Sequence, residues 1–259
     1  MSAARIHPTA IVAPDAELGD GVEVGPGAII GPQVSVGANA VIGPRAILER
    51  NVRLAAGCRI GVGSVLGGDP QDLKFKGEET WVEVGANTVI RDYTTVNRGT
   101  TQSYKTTIGA GCLLMSYVHL GHDCHVGDGV ILSNLVQLAG HVHIDERATV
   151  GGMTGIHQFV HVGAYAFLGG FSKIAKDVPP YCKADGNPAQ LYGLNVIGLR
   201  RNGFTEEALD ALKDAYRLFF RSSYNVSQAL DHAAAELPAG PEVERFVAFI
   251  KGSERGVML

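Results

Sequence analysis

The sequence predicts a mainly β protein: a parallel β-helix built from hexapeptide repeats, followed by a small α-helical C-terminal domain. Three observations predict this fold. Ile, Leu or Val recurs at almost every sixth position from Ile6 to Ile174, a period that fits neither an amphipathic helix nor a free alternating strand. Many of these residues are followed directly by glycine, of which the chain has 34. After about Asn187 the period becomes that of helices.

The repeat defines a triangular coil. Three hexads make one coil, so residues three hexads apart lie above one another at about the 4.8 Å spacing of neighbouring strands. The aliphatic residue and the small residue two positions before it point inward, and the residues between them point outward. Burying each aliphatic side chain contributes roughly 1.5–3 kcal/mol, so the β-helix needs no ligand to hold it together.

The repeat is interrupted only at Asp72, Glu78 and Gln102. These interruptions mark two polar, turn-rich insertions, residues 68–80 and about 97–107, which we expect to leave the coil as loops. Loops that leave one region of a repeat protein usually carry its binding function. Because the paired prolines 179 and 180 end the repeat, we assign residues 1–186 to the β-helix and residues 187–259 to the helical domain.

Three helices are predicted in the C-terminal domain, each from its own start signal. Thr205 is the expected N-cap of the first, Asn225 with Gln228 resembles a capping box before the second, and Pro241 opens the third. The predicted helices are Glu206–Arg221, Val226–Glu236 and Glu242–Lys251. We expect them to cap the last coil.

Composition excludes several classes of protein. The net charge of −4 argues against general nucleic-acid binding. No stretch resembles a signal peptide, and no apolar run approaches the ~18 residues of a membrane span. Cys58, Cys112 and Cys124 occupy the small inward position of the repeat, and no CxxC pair exists. We therefore expect buried, reduced thiols and a cytoplasmic protein.

Seven of the nine histidines lie between His119 and His161. His125, His143 and His161 are one coil apart and precede aliphatic positions, so they form an outward column. We interpret this column as a solvated or intersubunit histidine ladder rather than a catalytic group.

His122 is different because it occupies a turn position that Gly140 and Gln158 occupy in the next two coils. Asp123 stacks in the same way beneath His141. Together they offer an imidazole, an accessible backbone N–H, an amide and a carboxylate, which are the parts of a general base with an oxyanion donor. Two further histidines are expected to help line the same cleft, His119 and His157.

A zinc site is the alternative for this cluster. The histidines that could bind zinc are His119, His122, His125, His141 and His143. However, His119 and His125 are one hexad apart and should lie on different sides of the prism. We therefore predict no metal and no cofactor.

Several motifs resemble one family. Residues 118–189, QDLKFKGE at 71–78, NRGT at 97–100 and NVIGLRRNGF at 195–204 are similar to UDP-N-acetylglucosamine acyltransferases, which catalyse the first step of lipid A synthesis. The resemblance covers essentially the whole chain. It implies a left-handed parallel β-helix, a homotrimer, and active sites in clefts between subunits. The implied reaction transfers a 3-hydroxyacyl group from acyl carrier protein to the 3-position of the UDP-sugar.

The resemblance also implies roles for individual residues. His122 is the expected general base, Asp123 orients and polarises it, and the Gly140 N–H faces the developing oxyanion. Gly170 matches a position in the acyl groove, where glycine leaves room for a longer chain. The remaining matches are expected to bind the sugar, diphosphate, acyl chain or nucleotide, and they are Asp72, Lys74, His119, His141, Gln158, Asn195 and Arg201.

Two features bear on the substrates. The resemblance places Asn97 near the sugar as a substrate-binding residue. The family usually has a histidine at this position, so we hypothesise that the acceptor carries a 3-amino group in place of the 3-hydroxyl. Basic residues also gather in the helical domain, where they could steer the acidic acyl carrier protein or form a plain solvated face. These residues are Arg200, Arg201, Lys213, Arg217 and Arg221.

Three other functions compete with O-acyl transfer. The related N-acyltransferase of lipid A synthesis carries an extra N-terminal domain, whereas the hexads here begin at Ile6. A metal-dependent β-helical hydrase would be revealed by zinc analysis. A structural or ice-binding β-helix would have flat, regular faces, whereas this chain has two polar insertions and a histidine cluster.

Overall fold

The protein is described by a computed structural model over residues 3–259, and most of it is a left-handed parallel β-helix. Three parallel sheets form the faces of a triangular prism, here called faces A, B and C. Face A contains β1 (Arg5–Ile6), β4 (Glu23–Val24), β7 (Val41–Ile42), β10 (Arg59–Ile60), β13 (Val89–Ile90), β16 (Leu113–Leu114), β19 (Ile131–Leu132), β22 (Thr149–Val150), β25 (Phe167–Leu168), β27 (Cys182–Gly186) and β28 (Ala189–Leu194).

The other two faces likewise receive one strand from each coil. Face B contains β2 (Ile11–Val12), β5 (Ile29–Ile30), β8 (Ile47–Leu48), β11 (Val65–Gly68), β14 (Thr95–Asn97), β17 (His119–Leu120), β20 (Gln137–Leu138), β23 (Gly155–Ile156) and β26 (Lys173–Ile174). Face C contains β3 (Glu17–Leu18), β6 (Ser35–Val36), β9 (Val52–Leu54), β12 (Trp81–Val84), β15 (Lys105–Ile108), β18 (His125–Val126), β21 (His143–Ile144) and β24 (His161–Val162).

The predicted stacking of the coils is confirmed. Strand partners in most of the β-helix are 18 positions apart, as in the pairing of His119 with Gln137. The repeating aliphatic residues fill the prism, and Leu120 and Leu138 are fully buried. Ile6 is 46% exposed because it lies in the first coil, where no earlier coil covers it. The four cysteines are buried and free.

Both insertions leave the prism between face B and face C. Across the first insertion the partners are 30 positions apart, and across the second they are 24 apart. The extra lengths are whole numbers of hexads, so the inward positions keep their register. The first loop follows β11, and the second follows β14. The second loop is shorter than expected, because residues 105–107 belong to β15.

The C-terminal part differs from the expectation at its start. Residues 189–194, which were assigned to the helical domain, form β28, an antiparallel partner of β27. This hairpin satisfies the last edge of face A, which no further coil covers. The helices are α1 (Val196–Arg201), α2 (Glu206–Phe220), α3 (Val226–Glu236) and α4 (Pro241–Gly252). The short α1 was not predicted.

The helices pack on the end of the β-helix. Arg245 of α4 forms a forked ion pair with Glu146, and Phe249 packs 4.6 Å from the ring of His161. Thr205 caps α2, and Asn225 with Gln228 forms the predicted capping box of α3. In the part of the chain that the structure describes, no helix has both the length and the apolar character needed to cross a membrane.

Candidate active site

The candidate site lies on the edge of the prism between faces B and C, here called the B–C corner. Each coil turns there between its face B strand and its face C strand. His122, Gly140 and Gln158 therefore occupy one column of turn residues, and Asp123 and His141 occupy the next column. Both loops leave the same corner, so they can reach these residues.

Asp123, His141 and Phe159 share a left-handed backbone conformation, with φ of 58°, 63° and 64°. This conformation lets the chain turn from face B to face C within four residues, and it aligns the three side chains along the corner. The imidazole of His141 consequently lies between two rings. It stacks on Phe159 at 4.4 Å between ring centroids and meets His122 edge-on at 4.8 Å.

The Asp123 carboxylate is buried and accepts several hydrogen bonds, and its side chain is only 1% exposed. Thr100 donates its backbone N–H (2.9 Å) and its hydroxyl (2.8 Å) to the carboxylate, and Ser103 donates its N–H (3.2 Å) and its hydroxyl. Burial alone would raise the pKa of Asp123, but the hydrogen bonds from His122, Ser103 and Thr100 hold it well below its ordinary value. Asp123 is therefore ionised at neutral pH.

His122 is oriented by that carboxylate. Its Nδ1 lies 2.8 Å from Oδ2 of Asp123. Because an ionised carboxylate only accepts hydrogen bonds, neutral His122 carries its proton on Nδ1 and has a free lone pair on Nε2. The ring is 14% exposed, so Nε2 can meet a substrate without being freely solvated. This arrangement makes His122 a competent general base.

Gly140 provides the room for that ring. A β-carbon at position 140 would lie 2.7 Å from both Cε1 and Nε2 of His122, closer than real β-carbons approach. Within residues 3–259, the Gly140 N–H has no protein acceptor. The peptide beside the His122 ring thus offers an unused donor, as an oxyanion site requires.

A groove of about 570 Å³ opens beside these residues. The first loop forms one wall of it, and the B–C corner forms the other. Five of the predicted site residues line this groove together, namely Asp72, Lys74, His122, His141 and Gln158. A second groove of about 680 Å³ continues past Phe159 over face C to the end of α4.

His119 and His157 lie at the margin of the site and do not line the first groove. On face B, Nδ1 of His119 is 2.8 Å from the Thr95 hydroxyl, and burial lowers the pKa of His119. His157 begins a turn at the B–C corner and is exposed. Both remain predicted site residues, and neither forms a hydrogen bond with His122 or Asp123.

The structure does not bring Gly170, Asn195 and Arg201 to this groove. Gly170 lies on the corner between faces A and B. Asn195 caps α1 and donates to the Tyr165 carbonyl (3.0 Å) on the third corner, and Arg201 ends α1. Within one chain these residues cannot share a ligand with His122.

The NRGT segment has a structural role that the sequence did not reveal. Asn97 is 8% exposed, donates from Nδ2 to the Asp69 carbonyl (2.8 Å), and does not line the groove. The buried Arg98 donates to the Gly67 carbonyl (3.0 Å) and pairs with the Asp69 carboxylate. These two residues hold the root of the first loop, so Asn97 contacts the loop rather than the groove that the sugar was expected to enter.

The histidine ladder lies on face C, beside the second groove. Ring centroids of His125 and His143 are 4.7 Å apart, and those of His143 and His161 are 5.9 Å apart. Burial, together with the neighbouring imidazoles, lowers the pKa of His143, and burial also lowers that of His125. The lowered pKa values favour the neutral form of His125 and His143 at pH 7.

The residues of the site do not fit a metal ion. Ligand atoms of His122, Asp123 and His141 lie within 4.8 Å of one another. However, the Asp123 carboxylate already accepts five hydrogen bonds, and its two oxygens offer about four lone-pair positions. A metal would have to displace donors that orient Asp123 and His122.

Sequence reasoning missed two kinds of residue. Thr100 and Ser103 bind the Asp123 carboxylate from the second loop, which lies outside the repeat and gives no register from which to place them. Phe159 lies in the same column as His141, so the coil spacing alone was enough to find it.

Comparisons with known proteins agree with this geometry. Residues 177–258 match the family described as UDP-N-acetylglucosamine O-acyltransferase, domain 2, and residues 27–62 and 105–140 match bacterial transferase hexapeptide repeats. A relative from Chlorobaculum tepidum, named acyl-(acyl-carrier-protein)–UDP-N-acetylglucosamine O-acyltransferase, is 62% identical over 245 residues, covering 94% of this chain and 93% of its own. The chain belongs to the UDP-N-acetylglucosamine acyltransferase (LpxA) family.

Solved LpxA structures show the same fold. The Acinetobacter baumannii LpxA structure superimposes with a TM-score of 0.95 at 42% identity, covering 98% of this chain and 99% of that one. The Bacteroides fragilis LpxA structure gives a TM-score of 0.95 at 41% identity, covering 98% and 100%. The resemblance inferred from the motifs is confirmed, and membership of the LpxA family argues against the N-acyltransferase, hydrase and purely structural alternatives.

Proposed function

We propose that this chain transfers a 3-hydroxyacyl group from acyl carrier protein to the 3-position of UDP-N-acetylglucosamine, the first step of lipid A synthesis. The observation that carries the proposal is the His122–Asp123 pair, whose free Nε2 lies beside an unused backbone donor at Gly140. The names of the relatives support the same substrates.

The geometry gives each residue a step. Nε2 of His122 takes the proton from the sugar 3-hydroxyl as its oxygen attacks the thioester carbonyl carbon. Negative charge forms on the carbonyl oxygen, where the Gly140 N–H stabilises it. When the tetrahedral intermediate collapses, the carbon–sulfur bond breaks, and the thiolate of the carrier arm takes the proton back from His122. Asp123 stabilises the imidazolium between the two transfers.

The first groove suits the sugar nucleotide. Lys74 on the first loop supplies positive charge for the diphosphate, and Asp72 accepts hydrogen bonds from sugar hydroxyls. Burial lowers the pKa of His141 despite the nearby Asp123, so His141 can face the substrate as a neutral ring. Gln158, one coil above Gly140, adds an amide at the upper end of the groove.

A homotrimer with intersubunit sites explains the residues left on other corners. Gly170 and Asn195 can reach the groove of His122 only if a second chain presents them. At Gly170 a β-carbon would approach only the Gly152 backbone oxygen closely, at 3.2 Å, so the surface there is open. We propose that this gap accommodates a longer acyl chain.

The helical domain is the proposed docking region for acyl carrier protein. Its unpaired positive charge is smaller than the number of basic residues suggests, because three of them form ion pairs. Arg200 pairs with Glu206, Lys213 with Asp210, and Arg217 with Asp214. Arg201 and Arg221 supply the remaining positive charge for steering. The reduced, buried cysteines support the proposed location in the cytoplasm.

The choice between a 3-hydroxyl and a 3-amino acceptor is tested separately. Asn97 holds the root of the first loop, so it can affect the sugar only by placing Asp72 and Lys74. Initial rates with UDP-N-acetylglucosamine and its 3-amino analogue, with products identified by mass spectrometry, decide the question. Faster turnover of the hydroxyl sugar rejects the amino hypothesis.

The function itself is tested by His122→Ala. We expect a folded protein of unchanged thermal stability whose acyl transfer rate falls by roughly 10²–10⁴, the range for loss of a general base. The assay is formation of UDP-3-O-acyl-N-acetylglucosamine from defined 3-hydroxyacyl carriers. Turnover close to that of the unchanged protein would overturn the assignment.

A further inference from the structure

Phe159 contacts the site without any role in the chemistry described above. It occupies the left-handed turn position one coil above His141, and its ring lies nearly parallel to the imidazole, with 4° between the planes and 4.4 Å between the centroids. The ring is 48% exposed and borders both grooves. An apolar ring is thus left at the boundary of two polar grooves.

The left-handed backbone conformation of Phe159 is unfavourable, but other turn residues of the β-helix share it. A bulky residue in the left-handed region costs roughly 1–2 kcal/mol. Tyr93 and Tyr117 occupy the equivalent turn position on another corner and stack on each other at 5.3 Å. The feature that distinguishes Phe159 is therefore its partner, because it stacks on an imidazole of the active site.

His141 has other neighbours that it would approach if it were free to move. Its Nδ1 is 3.8 Å from Oδ2 of Asp123, the oxygen that also binds His122. Asp72 on the first loop and His125 on face C are the other charged or titratable groups that act on it. A protonated His141 would compete with His122 for Asp123, and it would repel the imidazolium that forms on His122 during the reaction.

We propose that Phe159 is a positioning residue: its ring clamps the His141 imidazole in one orientation and keeps water from its face, so that His122 is the only imidazole hydrogen-bonded to Asp123. The proposal deepens the proposed acyl transfer and rests on it. The Phe159 ring thus keeps His141 neutral and directed at the sugar, while the negative charge of Asp123 stabilises the imidazolium of His122.

The electrostatics of His141 agree with this geometry. Burial is the largest influence on His141, and it lowers the pKa even though Asp123 acts in the opposite direction. The Phe159 ring supplies part of that burial because it stacks on one face of the imidazole. Removing it should admit water and let Asp123 raise the pKa.

The first experiment needs no turnover. Histidine Cε1 resonances are titrated by NMR in the intact protein, and His141 is assigned from His141→Asn. Phe159→Ala should raise the pKa of His141 measurably above its value in the unchanged protein. The matched control is Tyr93→Ala, which removes a ring of similar exposure (49%) from the same type of turn on another corner, away from His141, and should leave the His141 titration unchanged. An unchanged His141 titration in Phe159→Ala overturns the proposal.

The second experiment measures whether Phe159 acts through His141. Phe159→Ala should lower kcat/KM by about tenfold at pH 6 and by less at pH 8, where His141 is neutral in either protein. In a His141→Asn background the same substitution should have little further effect, whereas Phe159→Tyr should retain activity. A loss that is equal at both pH values and persists in the His141→Asn background would show a merely structural role. A shifted titration in a protein without acyltransferase activity would instead reject the proposed function and leave the clamp standing.

Discussion

Substituting Gly140 by alanine tests the geometry of the proposed general base, His122, most sharply. The added β-carbon would lie 2.7 Å from Cε1 and Nε2 of His122, whereas ordinary van der Waals contact begins at about 3.4 Å. The imidazole must therefore move by roughly 0.7 Å or more, or tilt away from Asp123. Since a misplacement of about 1 Å at a reacting group costs on the order of 10²-fold in rate, we expect kcat to fall by about 10².

The fold should tolerate this change. Gly140 has a backbone conformation open to alanine, and the atoms it meets belong to the end of a side chain rather than to the backbone. The assay is steady-state acyl transfer combined with thermal unfolding. Gly155→Ala is the matched control, because a β-carbon there meets no atom within 4 Å. Full activity in Gly140→Ala would refute the view that the His122 ring must lie against position 140.

Three further predictions follow from the site. Asp123→Asn should lower kcat by roughly 10³-fold or more, because an amide nitrogen at the Oδ2 position donates to Nδ1 and moves the proton of His122 to Nε2; a kcat close to that of the unchanged protein would contradict this. Arg98→Met should raise KM for the UDP-sugar by about tenfold, with a smaller change in kcat. The expected cause is the loss of a hydrogen bond worth ~1.4 kcal/mol, which loosens the first loop. An effect confined to kcat would count against this prediction. The free energy of unfolding should fall as the pH drops below the ordinary histidine pKa of 6.5. His125 and His143 have lowered pKa values in the folded protein, so the unfolded chain binds more protons than the folded one in this range. Chemical unfolding at pH 7 and pH 5 measures this, and His143→Gln should reduce the difference.

The β-helix and the core of the site could be predicted because the coil has a fixed period. Once strand partners lie three hexads apart, the positions of His122, Gly140 and Gln158 on one corner follow by counting. The same counting placed the histidine ladder on one face. No tertiary contact had to be guessed for these residues, because the backbone hydrogen bonds between coils fix their register.

The remaining features depend on contacts that have no period. Thr100 reaches Asp123 from an irregular loop, and Arg98 is buried against another loop, so neither role can be counted from the repeat. The hairpin at 189–194 forms because the last edge of face A needs a partner, which local propensity does not report. Gly170 and Asn195 are separated from His122 by the prism itself, and only a second chain could join them.

A crystal structure of the protein with the acylated UDP-sugar bound would test the role of His122 at atomic detail. We expect the sugar 3-oxygen within hydrogen-bond distance of Nε2 of His122. We also expect the ester carbonyl oxygen to face the Gly140 N–H. Product seated on either of the other two corners, with the groove between Asp72 and His122 vacant, would contradict it.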